Sequence, residues 1–442
     1  MDKIKCYIDC SISVSICNFR CSYCHVAQHN DFGNAYKPFQ YPVEHIAKAF
    51  SPKRFGGICF INLCGNGETL IHPQVIPLTK LLLQDGHYVS LVTNGTITNP
   101  LTEISDWPIN LRERIFIKFS FHYTELMKFN LLDVFFSNIS AVKAAGISFT
   151  VELVASDESI PYIDEIKDVC MDKLGAFCHA TDPRDHRQEG LPRLTQMELA
   201  EHQKVWGQFD SALFDYRQTT WGASRKCEFC YSGEWLVVVN LTSGMLRQCY
   251  LGSMQMVFDD INEPIHFTAV GTHCPYPHCY NSHVRDCFVG VIPHISSPTY
   301  AELRNRVCTD GSEWLTEKYK EVFGKRICEN NQEYDEDRKI FTNGMMTLLH
   351  REDEPDASFA LIVERYLLEL GIKSPIFYAE NRVTEWLTQQ INTAVPFWDN
   401  LADSIIVTDS KDIVAIRKKL EKETKLPIID IWDLPVKRST HA

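Results

Sequence analysis

What this sequence lacks narrows its function first. No stretch of about 18 apolar residues occurs in the 442-residue chain, so no membrane-spanning segment is expected. The start, Met1-Asp2-Lys3-Ile4-Lys5-Cys6, lacks the continuous apolar core of a secretory leader, which predicts a cytoplasmic, reducing setting for its thiols. Cationic charge is short. The 44 Lys and Arg against 57 Asp and Glu leave a net charge of −13, a poor match for a phosphate backbone, so no nucleic-acid partner is expected. Internal repeats and low-complexity tracts are absent. The first strand-to-helix junction of the C-terminal region, Ala379-Glu380-Asn381-Arg382-Val383, has none of the glycines that let a backbone approach a pyrophosphate, so a dinucleotide is not predicted there.

Cysteine, by contrast, is plentiful, at 17 residues. In a chain of this composition a C-x3-C-x2-C pattern arises by accident only about 0.025 times. It occurs at Cys17-Asn18-Phe19-Arg20-Cys21-Ser22-Tyr23-Cys24. Three thiolates so spaced can wrap one corner of an iron–sulfur cube and leave its fourth iron without a protein ligand. A zinc site completed by Cys6 or Cys10 is the alternative.

Hydrophobic content of 45% suffices for buried cores, and the length predicts two or three domains. Strands are expected at Ile58–Cys64, Tyr88–Val92, Ile115–Phe121 and Ile147–Val154, with a sixth over Gly175–Asp182, and helices at 73–85 and 124–145 between them. This alternation predicts an α/β fold built round a partial (β/α)6 barrel, whose reactive groups gather at the carboxyl ends of the strands. Gly65-Asn66-Gly67-Glu68, Asn94, Ser120 and Glu152 fall at or near those ends.

The cysteine loop and these strand ends resemble the radical S-adenosylmethionine (SAM) enzymes over roughly residues 4 to 185. The resemblance implies that Cys17, Cys21 and Cys24 hold a [4Fe-4S] cluster whose open iron is chelated by SAM, with Tyr23 beside it. It further implies that Gly65, Asn66, Gly67 and Glu68 bind the methionine ammonium, with Asn94 at the next strand end, and that Ser120 and Glu152 hold the ribose or carboxylate. Thr69 stands where the family often has proline. Such an enzyme cleaves SAM reductively to a 5′-deoxyadenosyl radical that abstracts hydrogen from carbon. Cys178, near the sixth strand, is a candidate hydrogen donor to a substrate radical, or else core packing. Cys59, Cys64, Cys170 and Cys308 read as core.

A second cysteine group begins at Cys227-Glu228-Phe229-Cys230, followed by a hairpin over Glu234–Asn240 and Met245–Cys249 turning at Ser243-Gly244, then Cys274, Cys279 and Cys287 among His273, His278 and His283. It resembles the SPASM and twitch auxiliary-cluster domains of radical SAM enzymes in the spacing of Cys230, Gly244 and Cys249. That implies a second [4Fe-4S] cluster on Cys230, Cys249, Cys274 and Cys279, with Cys227 or Cys287 as rivals; zinc is again the alternative. The expected division is a barrel core at 1–190, a cysteine-rich β-hairpin auxiliary region at 191–330, an acidic linker at 331–356 and a Rossmann-like α/β domain at 357–442. The resemblance implies a flavodoxin- or ferredoxin-type reductant. Since the cysteine motif starts at residue 17, no peptide-recognition domain precedes it, and a small, sugar-like substrate is expected over a peptide. A non-catalytic iron–sulfur or zinc module is the alternative from another class.

Overall fold

The computed structural model describes residues 2–222, 228–250, 254–272, 274, 276, 278–281, 284–285, 296–350, 353–396, 399–409 and 413–435. They divide into two compact units, one of residues 1–225, 239–243 and 276–331, the other of residues 226–238, 244–275 and 332–442.

In the first unit six strands lie in the order β6-β5-β4-β3-β2-β1. They are β1 (Ile4–Ile12), β2 (Ile58–Gly65), β3 (Tyr88–Thr93), β4 (Ile115–Phe121), β5 (Ser148–Val154) and β6 (His179–Thr181). Every adjacent pair is parallel, as helical crossovers between successive strands require. This is the expected partial (β/α)6 barrel. One face of the sheet is apolar, with Ile8, Ile61, Leu63, Leu91, Ile117, Phe119 and Val151 wholly buried. The helices have matching apolar faces: in Val75–Gln84, residues Val75, Leu78, Thr79, Leu82 and Leu83 recur at helical spacing and are buried. Each such side chain contributes about 1.5–3 kcal/mol by leaving water.

The opposite face carries the chemistry. Residues paired across parallel strands share a face, and the register sets Asp9 beside Asn62, Lys118 beside Thr150, Ser120 beside Glu152, and Glu152 beside His179. Near the amino ends of the strands this face is closed by aromatic rings: Phe60 and Phe116 meet Tyr300, and Tyr88 meets Phe323. Polar groups are therefore left at the carboxyl ends.

Two expected elements differ. The helix predicted over 124–145 is two, Tyr123–Lys128 and Leu132–Ala144, because Asn130 between them adopts a left-handed φ of 54°. The sixth strand is short, since Gly175 at φ 73° caps the helix Ile163–Leu174 before β6 can begin.

The second unit contains β7 (Leu236–Asn240) in part, β8 (Met245–Arg247) and β9 (Met254–Met256), with β8 and β9 antiparallel. Its other sheet is parallel, β10 (Pro375–Tyr378), β11 (Ser404–Val407) and β12 (Ile428–Asp430), in that order, with helices Arg382–Gln390 and Ile413–Glu423 between, as the Rossmann-like expectation had it. The acidic stretch 331–356 is not a linker. It contains the helix Glu336–His350, whose Phe341, Met345 and Leu348 share a core with Phe359, Val363 and Tyr366. Its acidic residues Glu336 and Asp337 sit in the first turn, where the helix dipole favours them.

Candidate active site at the carboxyl ends of the strands

Past β1 the backbone runs beside the loop that follows β2. Asn66 N–H donates to the Ile12 carbonyl at 3.3 Å, Gly67 N–H to that of Val14, and Glu68 N–H to that of Ile16 at 2.9 Å. The approach to the cysteine loop and the Gly65–Glu68 loop are thus fastened together. Glycine is required at 67, where a β-carbon would collide with the Ile16 carbonyl. Thr69, in place of a stiffening proline, does a comparable job by another means: its hydroxyl accepts the Gly65 N–H at 2.9 Å and closes the loop.

The cysteine loop is held from several sides. Cys24 N–H donates to the Cys21 carbonyl at 3.1 Å, and Arg20 N–H to the Glu125 carboxylate at 2.7 Å. Asn94, at the end of β3, donates to Asn18 at 2.7 Å and accepts from the Thr96 hydroxyl at 2.7 Å, while Asn18 donates to Thr96 at 2.9 Å. Cys17, Cys21 and Cys24 line one cavity together with Gly65, Asn66, Gly67, Glu68, Asn94 and Ser120. Among the described residues no three His, Cys, Asp or Glu side chains are gathered as they would be on a single ion. A cube asks for a wider spread, one cysteine to each of three irons. Three thiols and an open volume on one cavity wall fit that group. Burial pushes Cys17 up to about 11, and Cys21 upward as well, so ligation must carry off their protons.

Glu68 is 2% exposed, and its carboxylate accepts from Leu70 N–H at 2.9 Å, the Thr93 hydroxyl at 2.7 Å and Asn94 N–H at 2.7 Å. Burial raises its pKa against these bonds. Its first job is therefore to tie the β2 loop to the end of β3, with acceptor capacity for one further donor.

Other expected residues stand elsewhere. Tyr23 is buried with its hydroxyl 2.8 Å from Nδ1 of His122, and it does not line the cavity. Glu152 lies behind Ser120, paired with Lys118 at 2.7 Å and Arg304 at 3.0 Å. Burial disfavours its charge, but Arg304 and Lys118 outweigh that and hold its pKa below the usual value. Cys178 is wholly buried beside Cys170 on the helix Ile163–Leu174 and is not brought to the cavity. Cys64, taken as core from the sequence, instead alternates with Asn62 on the polar face and is half-buried. The cavity also includes His122, Phe19 and Thr93, which sequence reasoning passed over. A signal for His122 existed: it continues the period-two series Lys118, Ser120, one residue beyond β4. Burial lowers its pKa to about 4, so it is neutral.

In the second unit Cys249 and Cys274 pack on a core of Cys230, Val270 and Met346. Three of the four expected auxiliary ligands therefore share one core cluster. Cys279 belongs to the first unit, where Arg285 donates to its sulfur at 3.3 Å, and His278 there stacks on Trp221. Cys227, Cys287, His273 and His283 lie outside the described residues.

Over part of its length the chain is similar to SuiB of Streptococcus suis bound to S-adenosylmethionine, at 13% identity and a TM-score of 0.43, covering 59% of this chain and 65% of that one. It is also similar to anSMEcpe with bound AdoMet, at 15% identity and a TM-score of 0.41, covering 60% and 77%, and to BtrN in complex with AdoMet and 2-DOIA, at 14% and 0.25, covering 59% and 76%. The chain thus spans less than two thirds of the length of SuiB. No curated protein matches it in sequence. Residues 11–155, which hold the cysteine loop, the Gly65–Glu68 loop and the ends of β3 to β5, match the Radical SAM superfamily, and the chain carries a radical SAM domain there.

Proposed function

We propose that this protein is a radical SAM enzyme that removes hydrogen from a carbon of a small polar molecule, with a second iron–sulfur cluster assisting electron transfer. The observation that carries the reading is the single cavity shared by Cys17, Cys21, Cys24 and the Gly65–Glu68 loop, since a site for an amino acid's ammonium has no purpose in a structural metal module. When bound, a [4Fe-4S] cluster on the three cysteines and SAM beside it supply one-electron cleavage chemistry able to attack an unactivated C–H bond. The protein's part is to hold and aim. Glu68 offers its remaining acceptor capacity to the methionine ammonium, Asn94 braces the cysteine loop, and Ser120 presents a hydroxyl to the SAM carboxylate or ribose. Phe19, Val92 and the neutral His122 keep the cavity wall poor in mobile charge and in water. Cys230, Cys249 and Cys274 would ligate the auxiliary cluster, and a flavodoxin- or ferredoxin-type protein would deliver the electron.

The test is metal and SAM content. Anaerobically reconstituted protein should bind about eight iron and eight sulfide. Joint replacement of Cys17, Cys21 and Cys24 by alanine should remove about half of both and abolish SAM binding. Zinc without sulfide would contradict the reading.

A further inference from the structure

The cysteine loop brings its thiols to the cavity and also points hydrogen-bond donors at them. Phe19 N–H donates to the Cys17 sulfur at 3.4 Å. At Cys21 the donor is a side chain: the hydroxyl of the buried Tyr23 reaches that sulfur and also stands 2.8 Å from Nδ1 of His122. His122 follows β4 and lines the cavity, and the ring of Phe19 meets it edge-on at 6.0 Å. The direction of the two bonds at Tyr23 follows from counting protons. A phenol has one proton to give. A thiolate bound to iron has none and can only accept, whereas a neutral imidazole can donate from Nδ1 when Nε2 is bare. With Cys21 on iron, one arrangement satisfies both contacts: Nδ1–H of the neutral His122 donates to the Tyr23 oxygen, and the Tyr23 O–H donates to the sulfur.

We propose that Tyr23 and His122 are positioning residues that act through Cys21: His122 holds the Tyr23 hydroxyl, and that hydroxyl donates to the Cys21 thiolate and makes a [4Fe-4S] cluster there easier to reduce. The physical reason is charge. A reduced cluster carries one more negative charge, spread partly over its sulfurs, so a hydrogen bond to a ligating sulfur favours the reduced form, and such bonds are among the factors that set cluster potentials. Reductive cleavage of SAM begins from the reduced form, so the pair would govern how readily the first electron is taken up. The inference deepens the radical SAM reading and rests on it in placing a cluster on Cys17, Cys21 and Cys24.

The experiment uses full-length protein reconstituted anaerobically with iron and sulfide. It is titrated with dithionite at fixed pH in the presence of redox mediators, and the electron paramagnetic resonance signal that disappears in the triple alanine variant of Cys17, Cys21 and Cys24 is followed. Tyr23→Phe should keep the wild-type iron content and make that cluster at least threefold harder to reduce, a midpoint lower by about 28 mV for one electron. His122→Leu should shift the midpoint the same way. His122→Asn, whose amide can donate from where Nδ1 stood, should recover most of the wild-type value, which a loss of packing alone would not allow. If Tyr23→Phe does not fold, the two His122 variants carry the test. The proposal is overturned if Tyr23→Phe with full iron keeps the wild-type midpoint, if His122→Leu raises it and so shows Tyr23 to have been donating to His122, or if His122→Leu and His122→Asn behave alike. A wild-type spectrum identical to that of the triple variant would instead show no cluster on the three cysteines and remove the radical SAM reading together with the inference that rests on it.

Discussion

Glu68 accepts three hydrogen bonds in a site that water scarcely reaches, so the residue expected to meet SAM also holds its own loop. Glutamine in its place keeps one carbonyl oxygen and turns an amide toward either Asn94 N–H or the Leu70 and Thr93 donors, setting donor against donor. Glu68→Gln should therefore cost about 1–3 kcal/mol of stability, a drop of several degrees in melting temperature, and weaken SAM binding by at least tenfold. Equilibrium binding and thermal unfolding check both; a variant unchanged in either would show that the carboxylate is not placed as described. Gly67 makes the companion case. Gly67→Ala drives a methyl group into the Ile16 carbonyl, and the cysteine loop that begins one residue later should lose iron on gel filtration; full retention of iron would show that this close approach does not hold the loop. Spacing in the sequence revealed Cys17, Cys21, Cys24 and the glycines because the chemistry needs those residues close together along the chain. It could not reveal the Glu152 cluster, where Arg304 arrives from a helix more than a hundred residues away.

At the scale of elements, the helix Glu336–His350 changes the account of modularity. Met346 packs with Cys230 and Val270, Asn343 accepts from Thr272 N–H at 3.0 Å, and Tyr334 donates to Glu234 at 2.5 Å, so the chain after residue 331 builds the frame of the auxiliary cysteines. A protein ended at Asn331 should keep the first cluster and lose the second, about four iron in place of about eight. Retention of eight would mean that those cysteines need no C-terminal support. The parallel sheet of the same unit carries a pH dependence. Burial raises Asp430 to about 6, and although burial disfavours a charged His266, Asp433 and Asp430 outweigh it and raise His266 above 6.5. Arg417 acts against the charge on His266 and favours it on Asp430. Both groups bind protons more tightly folded than unfolded, so their contribution is full at low pH. It is lost from about pH 4 to 6 for Asp430 and above pH 6.5 for His266. Asp430→Asn, which keeps the Oδ1 that caps Trp432 N–H, should flatten the lower part of this decline in melting temperature. An unaltered pH profile would remove Asp430 from the explanation. Strand order and helix lengths here were legible from periodicity. The helix 336–350 was not, because its charged flanks resemble those of a linker.

For the whole molecule, the barrel could be read from alternation of strands and helices because successive elements are neighbours in space. The division into units could not, since each is assembled from three separated stretches of chain. Cys64 shows the same limit at closer range: its apolar neighbours suggested core, and only the register with Ser11 turns it to the polar face. No helix among the described residues is long and apolar enough to cross a membrane. The central claim is that the cavity at the strand ends cleaves SAM, and one measurement bears on it most directly. Full-length protein, reconstituted anaerobically with iron and sulfide and reduced with dithionite, is incubated with SAM and assayed for 5′-deoxyadenosine. The account predicts slow formation even without substrate, lost when Cys17, Cys21 and Cys24 are replaced by alanine; cluster-loaded protein that binds SAM yet forms no 5′-deoxyadenosine above that triple variant would contradict it.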